Sequence, residues 1–204
     1  MKPVVIGMAG GSGAGKTTIA QQLIDRLGAD VIAWLPYDAY YADLSHLAFA
    51  MRVQCNFDHP DAFDTALYIS HIDALCAGHH ITMPNYDFVS YTRVAGGHVV
   101  HPRPIILLDG ILLFVPEAVR TRMHMRIYID APDDIRLVRR ILRDTQSRGR
   151  DITSVCQQYM TTVRPMHQQF VEPSRIHAHV IIPSVNDITP AVDLLTNHLR
   201  QLML

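Results

Sequence analysis

Val4-Val5-Ile6-Gly7-Met8-Ala9-Gly10-Gly11-Ser12-Gly13-Ala14-Gly15-Lys16-Thr17-Thr18 decides the fold of this chain. Residues 4–8 are a continuous apolar run, which predicts a strand buried on both faces. Residues 10–17 then fit the pattern G-x-x-x-x-G-K-[ST], and a helical pattern follows over 15–27. Glycine permits the positive φ angles that turn successive N–H groups toward one point, and the start of the helix adds its dipole there. That point suits a polyphosphate. Lys16 is placed to bridge the β- and γ-phosphates of a nucleoside triphosphate such as ATP, Thr17 to ligate the accompanying Mg²⁺, and Thr18 to extend the helix start.

Working outward, short apolar runs at 31–35, 105–108, 126–129 and 179–182 alternate with helical patterns at 44–53, 65–76, 132–146, 152–170 and 190–202. This rhythm predicts an α/β fold of the P-loop NTPase kind, a doubly wound parallel sheet flanked by helices. Residues 81–100 break the rhythm with Pro84, Asn85 and Gly96-Gly97 between short alternating runs, as an inserted β-ribbon beside the sheet would. Asp109, at the end of the run 105–108, stands where an acidic residue would hold the metal's water shell; a strand-end cap is the alternative.

With 204 residues, 49% apolar and 18% charged, the chain is expected to build one core and one domain, residues 1–204, with no linker or repeat dividing it. A net charge of -1 gives no field to gather nucleic acid or an anionic membrane. No apolar run approaches the roughly 20 residues of a membrane span, and no secretory cleavage pattern follows the N-terminus, so the expected location is cytoplasmic. Cys55, Cys76 and Cys156 are expected to be reduced packing residues. His79-His80 and His98 with His101 lack carboxylate or thiolate partners at ligand spacing and read as surface residues.

Several separated blocks, taken together, resemble the uridine-cytidine kinase family. They are Tyr37-Asp38-Ala39-Tyr40-Tyr41, the run from Asn56-Phe57-Asp58-His59-Pro60 to Asp64, and Pro84-Asn85-Tyr86-Asp87-Phe88. Further blocks are Arg139-Arg140-Ile141-Leu142-Arg143-Asp144, Arg148-Gly149-Arg150-Asp151, Gln158-Tyr159, and Arg164-Pro165-Met166-His167 through Pro173. They follow in order over nearly the whole chain. The resemblance implies transfer of the γ-phosphate of ATP to the 5′-hydroxyl of uridine or cytidine.

Transfer needs a carboxylate near the acceptor proton, and Asp38, after the second strand, fits that place. The resemblance makes it the catalytic base, with Tyr41 nearby, and gives the metal side to Thr17 and Asp109, where relatives usually carry Glu. A nucleoside calls for flat apolar faces and a ribose-binding carboxylate. Phe57 and Asp58 match this need, Asp58 binding the ribose by resemblance, while Tyr86 and Phe88 on the ribbon close over the pyrimidine. Arg136, Arg140 and Arg143 share one face of the helix from Pro132, with Arg139 beside them and Arg148 and Arg150 after its end, which suggests a lid over residues 132–150; a solvated charged helix is the alternative. By resemblance Arg143 and Arg148 face the phosphates, while Arg140, Arg150 and Gln158 reach the nucleoside. The resemblance also implies a homotetramer and feedback inhibition by CTP or UTP.

One departure bears on specificity. Relatives read Tyr-Asp-Phe, two residues, then His, whereas this chain has Tyr91 at the histidine position. A neutral imidazole can meet either the 4-keto group of uridine or the 4-amino group of cytidine. A phenol whose proton is held by a neighbour presents only lone pairs, so the expectation is a preference for cytidine. Two other kinds of protein share the phosphate loop. A guanine-nucleotide switch needs an Asn-Lys-x-Asp segment, and with lysine only at positions 2 and 16 the chain has none. A phosphoribulokinase-like or pantothenate-kinase-like kinase of small alcohols shares the architecture but lacks the Phe57-Asp58 and Tyr86 to Phe88 blocks.

Overall fold

The computed structural model describes residues 2–203. Numbered in chain order, β1 (Val4–Ala9), β2 (Ile32–Pro36), β5 (Ile105–Asp109), β6 (Met125–Asp130) and β7 (Val180–Pro183) form one sheet in the order β2-β5-β1-β6-β7. All four pairings are parallel. The five expected strands are therefore present, with ends displaced by at most one residue. Their continuous apolar sequence follows from burial on both sides, since alternate residues of one strand feed two different cores. In β1, Val5 and Ala9 join one core, while Ile6 and Met8 join the other.

One face is covered by α1 (Lys16–Leu27) and α9 (Thr189–Leu202), which bury Ile19, Leu23, Val192, Leu195 and Leu199. The opposite face receives α3 (Thr65–Cys76) through Tyr68, Ile72 and Leu75. Each such side chain, fully withdrawn from water, contributes about 1.5–3 kcal/mol. Asp64 starts α3 by accepting the Leu67 N–H at 3.0 Å, and its other oxygen lies 3.2 Å from Arg93 of the ribbon. The cap thus also ties ribbon to sheet.

The ribbon is an antiparallel hairpin of β3 (Ile81–Asp87) and β4 (Thr92–Val100). Its register slips between Met83 and Asn85, where Pro84 has no N–H to donate. At the tip the Asp87 carboxylate accepts from the N–H groups of Val89 and Ser90 at 3.0 and 3.1 Å. Tyr91 closes the turn with φ 56°, the one non-glycine residue with positive φ among those described.

Two expectations need correction. The helix expected over 44–53 is only α2 (Phe49–Val53), because the backbone before it is engaged elsewhere. Leu44 N–H donates to Thr92 Oγ1, Ser45 N–H to Asp43, and the Arg52 guanidinium donates to the carbonyls of Leu47 and Ser45. Such local bonds compete with helix formation. The cysteines, expected to pack, lie outside both cores: Cys76 is exposed and Cys55 and Cys156 are half-buried.

Between the short helix α4 (Glu117–Arg120) and β7 run α5 (Asp133–Ser147) and a long helical segment. That segment starts as α6 (Ile152–Gln158) and continues past Pro165 and Pro173 through α7 (Arg164–Met166) and α8 (Glu172–Ser174). Wide π turns at Tyr159–Val163 and His167–Val171 precede the two single-turn pieces that hold these prolines. A π turn changes the hydrogen-bond register where a proline cannot donate, so the helix bends around each proline instead of ending.

Candidate active site

The loops after β1, β2 and β5 meet at the carboxyl ends of the strands, the usual position of a ligand crevice in a parallel sheet. After β1, Gly13 has φ 81° and Gly15, at the N-cap of α1, has φ 98°. A Cβ on Gly13 would come within 2.3 Å of the Arg136 carbonyl oxygen, so the loop closes against α5 only without a side chain there. Lys16 lies beneath the loop, 9% exposed, and its ammonium donates to the carbonyls of Gly10 and Gly11 at 2.9 and 3.1 Å. Burial lowers the Lys16 pKa to about 8, against the opposing pull of Asp38 and Asp109.

Lys16, Thr17, Thr18, Ser12, Gly13 and Gly15 open into a cavity of about 590 Å³. Gly10 and Gly11 instead hold Lys16 through their carbonyls, and Ala14 is buried in the core under the loop. Asp109, at the end of β5, is 5% exposed and lines the same cavity. Burial raises its carboxyl to about pH 6, against the pull of the Lys16 ammonium, the Trp34 indole and the Thr17 hydroxyl. Trp34 N–H donates to Asp109 Oδ1 at 2.9 Å. Nothing in the sequence pointed to Trp34, the only tryptophan of the chain.

A divalent cation is tested by what the residues offer. Asp38 Oδ1 is buried with no hydrogen-bond partner among the described residues, and Asp38, Thr17 and Asp109 line one cavity. Two carboxylates and a hydroxyl are hard oxygen donors, which suit Mg²⁺ when phosphates and water complete its shell. The residues fit the ion.

A second, narrower cleft adjoins this cavity. Asp38, Tyr41, Phe57, Asp58, Tyr86, Phe88, Tyr91, Arg140, Arg150 and Gln158, all ten residues expected at a nucleoside site, line it together with Arg143 and Arg148. They come from the turn after β2, the segment before α3, the hairpin, α5, the turn after it and α6. Asp38, Tyr86, Phe88, Arg143 and Arg148 line both spaces and form the wall between them.

The aromatic rings pack face and edge: Phe57 stacks on Tyr91 at 5.6 Å between centroids and meets Tyr41 edge-on at 5.5 Å. Arg148 lies 4.0 Å over the Phe88 ring. The Asp58 carboxyl is 7% exposed; burial pushes its pKa up, against the pull of Arg140, and Thr162 donates to it at 3.4 Å. The Gln158 amide oxygen accepts from both Arg140 and Arg150, and Arg140 also donates to the Ser12 hydroxyl at 2.9 Å. This last bond joins the phosphate loop to the second cleft. Arg136 lies on the same buried side of α5 as Arg140 but does not line the cleft: 2% exposed, it bonds to the Ala131 carbonyl and to Asp133 and lines a separate cavity behind Gly11. Arg139 donates to the Ser184 carbonyl at 2.7 Å.

A parallel sheet of this order, with a glycine loop, a buried lysine and a helix-start hydroxyl at the end of its central strand, defines a P-loop nucleotide-dependent phosphotransferase. Residues 5–190 match the family described as Phosphoribulokinase / Uridine kinase family, and the chain belongs to it. A protein of Chloroflexus aggregans named uridine kinase is 47% identical over 192 residues, 94% of this chain and 92% of that protein. Another of that name from Deinococcus deserti is 46% identical over 200 residues, 98% and 97% of the two chains. A solved structure from Bacillus stearothermophilus named a possible uridine kinase superposes with a TM-score of 0.64 at 20% identity, covering 89% of each chain. The phosphoribulokinase of Rhodobacter spheroides gives the same TM-score at 12% identity, over 89% of this chain and 70% of that one. These two likenesses concern the fold.

Proposed function

We propose that this protein is a pyrimidine ribonucleoside kinase that phosphorylates uridine and cytidine on the 5′-hydroxyl with ATP. The observation that carries the reading is the position of Asp38 on the wall shared by the phosphate cavity and the aromatic cleft. A group there can touch an acceptor hydroxyl from one side and the terminal phosphate from the other. Its buried, unpartnered Oδ1 accepts the 5′-hydroxyl proton as that oxygen attacks the γ-phosphorus. The bond from γ-phosphorus to the bridging oxygen breaks, ADP leaves with that electron pair, and the proton passes on to solvent.

Lys16 and the backbone N–H groups of the loop hold the β- and γ-phosphates, and Arg143 and Arg148 neutralise charge that shifts during transfer. Thr17, with Asp109 through water, would hold Mg²⁺, which supplies charge neutralisation on the phosphate oxygens when bound. Asp58 accepts from the ribose hydroxyls, and Phe57, Tyr86 and Phe88 flank the base. Arg148 lies over Phe88 at the cleft, so the segment after α5 is the part that would move as a nucleoside enters. That motion is the lid.

Tyr91 supports a preference for cytidine, because a phenol oxygen suits the 4-amino donor. Tyr91 lines the cleft, but no hydrogen bond holds its hydroxyl proton among the described residues, so the phenol can also donate to the 4-keto group of uridine, and the expected preference is at most about tenfold, not the roughly 10⁴ of a fixed acceptor. Feedback by CTP or UTP follows if the cleft takes the pyrimidine and the loop takes the phosphates of one molecule. Homotetramer assembly and a cytoplasmic location remain part of this reading by family likeness; no helix among the described residues is long and apolar enough to cross a membrane.

The deciding measurement is kcat/KM for cytidine, uridine, ribulose 5-phosphate and pantothenate with ATP and Mg²⁺, on the unchanged protein and on Tyr91→His. Phosphorylation of the two nucleosides alone is expected, with uridine gaining on cytidine in the variant. Turnover of the other acceptors alone would replace this reading with a small-alcohol kinase. Equal use of both nucleosides before the substitution would remove Tyr91 from specificity and leave the kinase reading intact.

A further inference from the structure

Asp144 is fully buried, at 0% exposure, in the last turns of α5, and it does not line either cavity. Four guanidinium groups surround it. Arg143 contacts its Oδ1 through Nε and Nη2, both at 2.8 Å, and Arg148 reaches the same oxygen at 3.5 Å. Arg140 Nε and Arg150 Nη1 approach Oδ2 at 3.5 and 4.0 Å. These four arginines are the same four that line the aromatic cleft. The backbone adds a further tie, since Arg150 N–H donates to the Asp144 carbonyl at 3.2 Å and so folds the chain after α5 back over its own end.

We propose that Asp144 is the positioning residue of the phosphotransfer site, a buried carboxylate that gathers the lid arginines and aims them at the polyphosphate and the nucleoside. The inference rests on reading the cleft as a phosphotransfer site. The charge balance carries it: one carboxylate with two oxygens cannot neutralise four guanidinium groups, and even with the Asp38 and Asp58 carboxylates that line the same cleft a surplus of about one positive charge remains there. Oδ2 of Asp144 and Nε of Arg140, buried 3.5 Å apart, have no hydrogen-bond partner, so this contact is not yet a formed bond. A surplus of this sign is compensated by an anion entering from the cavity side, and Asp144 fixes the directions from which the arginines meet it. Without Asp144 the groups would repel one another and lose their common anchor.

The anchoring is tested with inorganic tripolyphosphate as probe, comparing thermal unfolding and steady-state kinetics of the unchanged protein, Asp144→Asn and Asp144→Glu. Asp144→Asn is expected to unfold at lower temperature and to recover more of that loss with tripolyphosphate than the unchanged protein gains from it, because the probe supplies the missing anion. Its kcat is expected to fall about 10²-fold, the scale of a misplacement near 1 Å. Asp144→Glu keeps the charge but moves it by one methylene, and should retain the fold while losing about tenfold in kcat. Equal tripolyphosphate shifts in all three proteins, or full activity in Asp144→Glu, would overturn the proposal. So would failure of both variants to fold, which would make Asp144 a determinant of the fold alone. If no nucleoside is phosphorylated even by the unchanged protein, the reading of function fails, while the tripolyphosphate comparison still decides whether Asp144 organises an anion site.

Discussion

On the proposed function the phosphate loop and the arginine lid both serve anions, but they are built differently. In the loop, attraction comes from backbone groups fixed by glycine and one helix start, over a span of eight residues. In the lid it comes from long side chains on α5 and the turn after it, held by a single buried carboxylate and by Gln158 of α6. The first arrangement is local and fixed by the backbone; the second is assembled from distant side chains, and on the proposed function it opens. A kinase needs both, since a rigid cradle alone would hold the donor but would not exclude water or enclose the acceptor.

The comparison is broken most sharply at the wall where the two spaces meet. Asp38→Asn is expected to lower kcat by 10²–10⁴-fold, the usual range for losing a general base, while the affinity for ATP changes little. Calorimetric titration with a non-hydrolysable ATP analogue would separate the two effects. Loss of nucleotide binding in step with kcat would show that Asp38 belongs to the donor side alone. The next largest effect lies on the acceptor side. Asp58→Asn removes a charged acceptor from the ribose hydroxyls, worth about 1.5–3 kcal/mol, which raises KM for the nucleoside roughly 10–100-fold and leaves KM for ATP unchanged. An equal rise for both substrates would mean that the cleft and the loop cannot be told apart.

Legibility in the sequence follows the same division. The five sheet strands and the loop were readable because a parallel strand is apolar throughout and the glycine spacing is local. The ten expected residues of the cleft come from six segments, and only the resemblance of separated blocks joined them; neither periodicity nor spacing would have placed Phe57 against Tyr91. Arg136 was legible only in part, for a related reason. Helical spacing puts it in line with Arg140 and Arg143, but the start of α5 packs so closely on the loop that its guanidinium is enclosed behind Gly11. Asp144 had a signal that went unused: one acid four residues after Arg140 and four before Arg148. Trp34 had none, because its bond to Asp109 crosses 75 residues of sequence.

The rigidity of the loop is itself open to test. In Gly13→Ala the new methyl meets the Arg136 carbonyl at 2.3 Å in a left-handed backbone conformation that costs about 1–2 kcal/mol before any clash. For a chain of this size each kcal/mol lowers Tm by about 2–4 °C, so a fall of at least several degrees is expected in a thermal melt. An unchanged Tm would mean that the loop is as adaptable as the lid, and the contrast would vanish.

The smallest and most particular effect is that of pH on Lys16. Burial lowers its pKa from the ordinary 10.5 to about 8, so between these values the unfolded chain binds the proton that the folded chain has released. Stability contributed by this group therefore rises with pH across that window. Nucleotide capture moves the other way, because the neutral amine no longer attracts phosphate. The free enzyme should lose kcat/KM for ATP above about pH 8, whereas kcat, which reports the nucleotide complex, should hold to higher pH because bound phosphates stabilise the ammonium. Parallel measurement of kcat/KM and nucleotide-free Tm from pH 7 to pH 10 compares the two signs in one protein. A shared alkaline decline would trace the loss of activity to unfolding, whereas opposite trends would assign it to the lysine held under the loop, a group whose burial weakens the free fold in favour of the bound one.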